Sequence, residues 1–230
     1  MCPYSQGAME SAHENRLVMV IAIDGPAGAG KSTVARAVAA RLGLTYLDSG
    51  AMYRAVALAA LQAEVDLDDE AAVGVVAAAA TLAPEEGSIG LDGRDVSAAI
   101  RTLEVTAAAT RIAVHGLVRD ELVRHQRAVL AGGGWVCEGR DIGTVVVPDA
   151  ALKVFLTADA EERARRRSAE SGGEFATVLA EMQERDVRDR RRMHGALKLA
   201  AGAEQIDTSG LDVDATADRV VELARERGFE

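Results

Sequence analysis

Aromatic residues make up only 3% of this 230-residue chain, which also has one tryptophan, four prolines, two cysteines and three lysines. Each scarcity excludes something. So few aromatics leave small aliphatic groups to build the core, and few stacking platforms for single-stranded nucleic acid. Cys2 and Cys137 cannot form a disulfide framework, because one lies in a polar terminal stretch and the other in an apolar run. A reducing cytoplasm is the expected location. No apolar stretch reaches the roughly 18–20 residues that a membrane helix needs. The longest, Ala71 to Ala83, is interrupted by Gly74 and Thr81. Residues 1–16 carry neither an apolar run nor a basic n-region, so a disordered tail is expected there rather than a secretory signal. The net charge of −10 argues against nucleic acid as the main partner, since backbone binding is driven by excess positive charge. The sole asparagine, Asn15, lies in the tail, which rules out the Asn-Lys-x-Asp motif of guanine-reading switch proteins.

Against these absences stands one segment rich in chemistry. Gly25, Pro26, Ala27, Gly28, Ala29, Gly30, Lys31 and Ser32 match G-x-x-x-x-G-K-[ST], a phosphate-cradling loop. The apolar run Val18–Ile23 leads into it as a buried parallel strand would, and Thr33 to Leu42 follows as a helix with Gly43 placed as its C-cap. Glycines let backbone N–H groups wrap a polyphosphate, and the helix start adds partial positive charge. Lys31 is placed to reach the β and γ phosphates, and Ser32 to ligate Mg²⁺. The motif in this context indicates a nucleoside triphosphate.

Further strand-like runs fall at Thr45–Leu47, Trp135–Cys137, Leu152–Leu156 and, weakly, Gln205–Ile206. Helical patterns cover Met52–Leu61, Val105–Leu130, Ala160–Arg167, Ala176–Arg191 and Ala215–Arg227. Alternation of this kind predicts an α/β fold with a parallel sheet covered on both faces, and ligands at the carboxyl ends of its strands. The stretch from about Val65 to Thr106 breaks the alternation and reads as a small α+β insertion with a type I′ hairpin at Asp92-Gly93.

Two polar clusters follow strands and fall at the same edge as the glycine loop. In Asp48-Ser49-Gly50-Ala51-Met52-Tyr53-Arg54, either Asp48 or Ser49 can cap the next helix. In Glu138-Gly139-Arg140-Asp141, Arg140 can hold a phosphate by its planar fork, although an internal Arg–Asp ion pair fits equally well. Nine arginines lie between Arg163 and Arg192. Arg185, Asp189 and Arg192 share a helical face, as do Arg188 and Arg192. Ion pairs on a solvated helix explain most such runs, but three consecutive arginines ask for an anion. A mobile lid that delivers arginines to a transferring phosphate uses this arrangement, with Arg163, Arg165, Arg166 and Arg167 near its other hinge. A phosphate acceptor needs no general base, whereas a hydroxyl acceptor would need a carboxylate such as Asp24 or Asp141.

From Val18 to Phe229 the chain resembles the bacterial cytidylate kinases. The resemblance rests on Ile23 to Thr33, Leu47 to Arg54, Asp95-Val96-Ser97, Ile100-Arg101-Thr102, Val118-Arg119, Gly139 to Val146, and Arg185-Asp186 through Arg192. It implies a P-loop three-layer fold with a five-stranded parallel sheet. The division it implies is a core of 17–64 and 107–230, a monophosphate-binding insertion at about 65–106 and a helical lid at about 160–192. It implies ATP and Mg²⁺ as donor and metal, CMP and dCMP as acceptors, and a monomer. By the same resemblance Gly25 through Thr33 hold ATP, and Ser49, Tyr53, Arg54, Arg101, Thr110, Arg119, Arg140 and Asp141 line the monophosphate side. Arg185, Arg188, Asp189 and Arg192 close over ribose and phosphates, and Lys31, Arg140, Arg185 and Arg192 serve the transfer. Where the family often has Ser-Pro-Leu or Ala-Pro-Leu after the arginine run, this chain has His194-Gly195-Ala196-Leu197-Lys198, and Gly202 replaces an acidic residue. Both departures bear on lid rigidity rather than on the transferred group.

Overall fold

The structure, a computed structural model, describes residues 18–85 and 87–230; the tail expected at 1–16 lies outside the described residues. Its central strand is β1 (Val18–Asp24), in which Val20 to Ile23 are wholly buried. A strand covered on both faces has no use for alternating polarity, which is why this run is continuously apolar. After the glycine loop come α1 (Lys31–Leu42), β2 (Thr45–Asp48) and α2 (Ser49–Gln62). Gly43 closes α1 in the left-handed conformation, φ 60°, as its position after the last apolar residue predicts.

The insertion is α3 (Glu70–Ala79) followed by β3 (Leu82–Glu85), β4 (Ser88–Leu91) and β5 (Arg94–Asp95), a small antiparallel sheet in that order. Asp92 and Gly93 both have positive φ, 51° and 78°, so the two-residue connection of β4 to β5 has the backbone of a type I′ turn. A single turn of 3₁₀ helix at Ala99–Arg101 leads back towards the core.

One expectation is corrected here. The segment 105–130 is not one helix but two, α4 (Leu103–Ile112) and α5 (Gly116–Leu130). His115 is extended at the break, and its Nε2 lies 2.8 Å from the Leu67 carbonyl oxygen, while Glu70 Oε1 accepts a hydrogen bond from Leu117 N. Tertiary ties to the insertion replace the hydrogen bonds that a continuous helix would have made.

The chain then forms β6 (Trp135–Gly139), a wide π-type turn at Ile142–Val146, β7 (Ala150–Thr157), α6 (Ala160–Ser171), α7 (Phe175–Arg191), β8 (Glu204–Asp207) and α8 (Val213–Arg225). The main sheet is parallel, in the order β2-β6-β1-β7-β8. On one face α1 and α8 bury Val34, Val38, Val220 and Leu223 against Ile21, Ile23 and Val154. On the other, α2, α4 and α5 bury Met52, Val56, Ile112 and Leu122 against Val20, Ala22 and Cys137. Trp135 begins β6 at the amino end of the sheet, in register with Val20 and Thr45. Burial pushes the Cys137 thiol well above its ordinary pKa, as suits an inert core residue. Among the described residues no helix is long and apolar enough to cross a membrane.

Candidate active site

Chain order in the main sheet places β6 and β7 on opposite sides of β1, which opens a crevice beyond the carboxyl ends of these strands. Asp24, the last residue of β1, is buried, and its two carboxylate oxygens accept from Ile142 N (2.9 Å) and Gly143 N (2.8 Å). Burial raises its pKa to about 6 in spite of these two donors. This carboxylate fixes the turn after Arg140 and Asp141 to the base of the glycine loop.

The loop itself relies on glycine at defined points. A Cβ on Gly25 would overlap the Leu156 carbonyl oxygen, and Gly28 and Gly30 have φ of 74° and 82°. No side chain caps the start of α1, so its first N–H groups are open to an anion. Lys31 is buried and folds back onto the loop, with Nζ donating to Pro26 O at 2.8 Å. Burial, reinforced by the charge of Arg140, lowers its pKa to about 7. Ser32 is half-buried and Thr33 exposed on the first turn.

Opposite the loop lies a row of arginines. Asp189, fully buried on α7, accepts from Arg140 Nε (2.8 Å) and Arg192 Nη2 (2.5 Å). Burial alone would raise the Asp189 pKa, but Arg140 and Arg192 hold the carboxyl below its ordinary range. Arg185 has its pKa lowered to about 10 by burial and by Arg140. The Nε atoms of Arg185 and Arg192 are buried without any hydrogen-bond partner. Donors stranded in this way are costly unless an anion meets them. Behind them, Arg119 on α5 pairs with Asp141, both buried, and its guanidinium lies 5.8 Å from the centre of the Tyr53 ring. Burial pushes the Asp141 carboxyl up despite Arg119, and raises the Tyr53 hydroxyl to about 12.

Ser49 Oγ donates to Glu138 O at 2.6 Å, so it ties α2 to β6, and Asp48 rather than Ser49 is the cap. Arg54 pairs with Asp48 at 2.8 Å. Three residues singled out from the sequence are not brought to the arginine row. Arg101 is exposed and donates to Ser97 O, Thr110 bonds back to Thr106 O within α4, and Arg188 is exposed beside Glu184. Sequence reasoning missed Glu138, which accepts from Tyr46 OH at 2.6 Å, and considered Asp24 only as a base. The position of Asp24 immediately before the glycine motif was the available signal. After α7, Gly195 (φ 61°) packs onto the Arg119–Asp141 pair, where a Cβ would overlap the guanidinium. A residue without a Cβ lets the backbone close over that pair.

Strand, phosphate loop, uncapped helix and facing arginines define a nucleotide-binding kinase of the P-loop α/β class. A family model described as cytidylate kinase matches residues 21–226. The chain belongs to the cytidylate kinase family and is a phosphotransferase. It is 48% identical over 211 residues to a cytidylate kinase of Pelotomaculum thermopropionicum, with 87% of this chain and 93% of that protein covered. It is 44% identical over 227 residues to one of Pseudomonas aeruginosa, covering 94% and 99%. Among solved structures it is similar in fold to TT1252 from Thermus thermophilus, with TM-score 0.51, 19% identity, and coverage of 94% of this chain and 100% of that one.

Proposed function

We propose that the crevice transfers the γ-phosphoryl group of ATP to the phosphate of CMP or dCMP, the activity of the family to which the chain belongs. The observation that carries this reading is the row of half-buried arginines facing the phosphate loop, with two buried guanidinium nitrogens left without partners. The residues fit a triphosphate, since Gly25 to Gly30 offer the backbone, Lys31 a buried cation and α1 an uncapped N-terminus. Ser32 would hold Mg²⁺, which when bound neutralises charge on the β and γ phosphates.

An oxygen of the acceptor phosphate attacks the γ-phosphorus in line, and the bond from that phosphorus to the bridging β–γ oxygen breaks, releasing ADP. The attacking oxygen is already anionic, so no side chain has to remove a proton. Lys31, Arg140, Arg185 and Arg192 oppose the charge that spreads over the transferring oxygens. Arg119 and Arg54 hold the acceptor phosphate, Ser49 and Tyr53 shape its end of the crevice, and Asp141 accepts from the cytosine amino group. The segment 160–192 acts as the lid and 65–106 as the monophosphate-binding insertion; Arg101, Thr110 and Arg188 reach substrate only when these elements close. The protein works as a cytoplasmic monomer on small molecules, not on nucleic acid or membranes, a reading supported by its acidity and cysteine usage.

The test is ADP formation from Mg-ATP with CMP, dCMP, UMP and AMP as separate acceptors. Rapid turnover confined to the two cytidine nucleotides is expected. Turnover with none of them, from protein that binds ATP, would overturn the reading.

A further inference from the structure

Arg163 is the charged residue by which α6–α7 hydrogen-bonds directly to the phosphate loop; Arg166 lies beside Gly30 and reaches Ala29 O only through Thr208. Arg163, 4% exposed, spreads its guanidinium over three elements. Its Nε donates to Ala158 O at the end of β7 (3.0 Å), Nη1 to Ala27 O within the loop (3.0 Å) and Nη2 to Asp186 Oδ2 on α7 (2.7 Å). Asp186 is equally buried, and its Oδ1 has no partner. One turn earlier, Met182 Cε lies 2.7 Å from where a Cβ on Gly28 would stand. The apolar contact is small: Ala164, Val178 and Met182, with Ala27 and Leu179 beside them.

A planar guanidinium holds its donors in a fixed fork, so its three acceptors cannot move independently. The carbonyl of Ala27 belongs to the loop that wraps the triphosphate. The carboxylate of Asp186 belongs to the helix that carries Arg185, immediately before it, and Asp189, three residues on. Arg163 is the side chain that hydrogen-bonds both the loop and α7, so displacement of the loop carbonyl is transmitted to the arginine row through it.

We propose that Arg163 and Asp186 are positioning residues that couple the donor loop to the arginine row of α7, so that a triphosphate in the loop raises the affinity for the monophosphate. This rests on the donor and acceptor sites assigned above. Linkage is reciprocal, so the monophosphate must tighten triphosphate binding by the same factor.

The experiment is calorimetric titration of CMP into the full chain, with and without a non-hydrolysable ATP analogue and Mg²⁺. In the unmodified chain the analogue tightens CMP binding by about fivefold or more. In Asp186→Asn that factor falls to within about twofold of unity, while each ligand alone keeps its affinity to within about threefold. A merely structural role would weaken both ligands together and leave the factor intact. Arg163→Lys keeps the charge but cannot span three acceptors, and it loses the same factor if Asp186→Asn does not fold. A factor retained in whichever variants fold, or absent from the unmodified chain, overturns the coupling. Failure of the unmodified chain to bind either nucleotide instead defeats the assignment of the two sites, and the coupling falls with it.

Discussion

Asp141→Asn isolates one buried charge with almost no change of shape. In the intact protein the side chains of Arg119 and Asp141 are 4% and 9% exposed, and Gly195 closes over them. Burial outweighs Arg119 in setting the Asp141 carboxyl, so the pair as a whole adds little to stability. Removing one partner is different, because it strands the guanidinium in a medium that cannot solvate it. Loss of one member of a buried pair costs about 3–5 kcal/mol. For a chain of this length each kcal/mol lowers Tm by roughly 2–4 °C, which gives a fall of roughly 6–20 °C. The assay is thermal unfolding of both proteins in the presence and absence of millimolar inorganic phosphate. Phosphate should stabilise both proteins but restore part of the deficit in the variant, where its effect is larger because Arg119 there has lost its carboxylate partner. A fall of less than about 2 °C, or equal phosphate effects on both proteins, would refute the reasoning.

Lys31 makes nucleotide binding proton-linked. With its pKa lowered to about 7 it is mostly neutral in the free protein at pH 8, and a polyphosphate draws the proton back, so ATP binding at that pH should take up on the order of one proton. Calorimetry in buffers of differing ionisation enthalpy measures this, and no uptake at pH 8 would contradict the burial argument. Gly25→Ala places a methyl group against the Leu156 carbonyl and must displace the base of the loop. Misplacement of about 1 Å costs on the order of 100-fold, to be read in kcat/KM for ATP. Arg185→Ala should lower kcat by about 100- to 1,000-fold, whereas Arg190→Ala, whose side chain is exposed on α7, should stay within about twofold. Steady-state kinetics on the two variants checks the contrast, and equal losses would place both residues at the phosphates.

The parts that proved legible in the sequence are those governed by local rules. The strand–loop–helix at 18–42 follows from an apolar run, glycine spacing and a glycine cap, and the turn at Asp92-Gly93 from the positive φ that both residues tolerate. The break between α4 and α5 was hidden because it depends on Leu67 and Glu70, more than 40 residues away, as partners. Strand β3 was missed for a related reason. It holds Pro84 on the edge of a small sheet, a position open to proline only once the pairing is known. The arginine run stands out in the sequence, yet periodicity cannot say which member turns inward. Asp189 gathers Arg140 and Arg192, Arg188 faces solvent, and Arg163, read as a hinge residue, is a buried strut between loop and helix.

The position of Trp135 has a practical consequence. It stands at the amino end of β6, four residues and roughly 13 Å along the strand from Gly139, where the crevice begins. As the chain's sole indole, it emits from the amino end of the sheet, opposite the proposed substrate crevice. Its fluorescence therefore reports whether the sheet is intact and stays nearly silent when nucleotides bind. Melting curves followed by this signal can be compared across ligands without correction for quenching, while binding has to be watched by another probe.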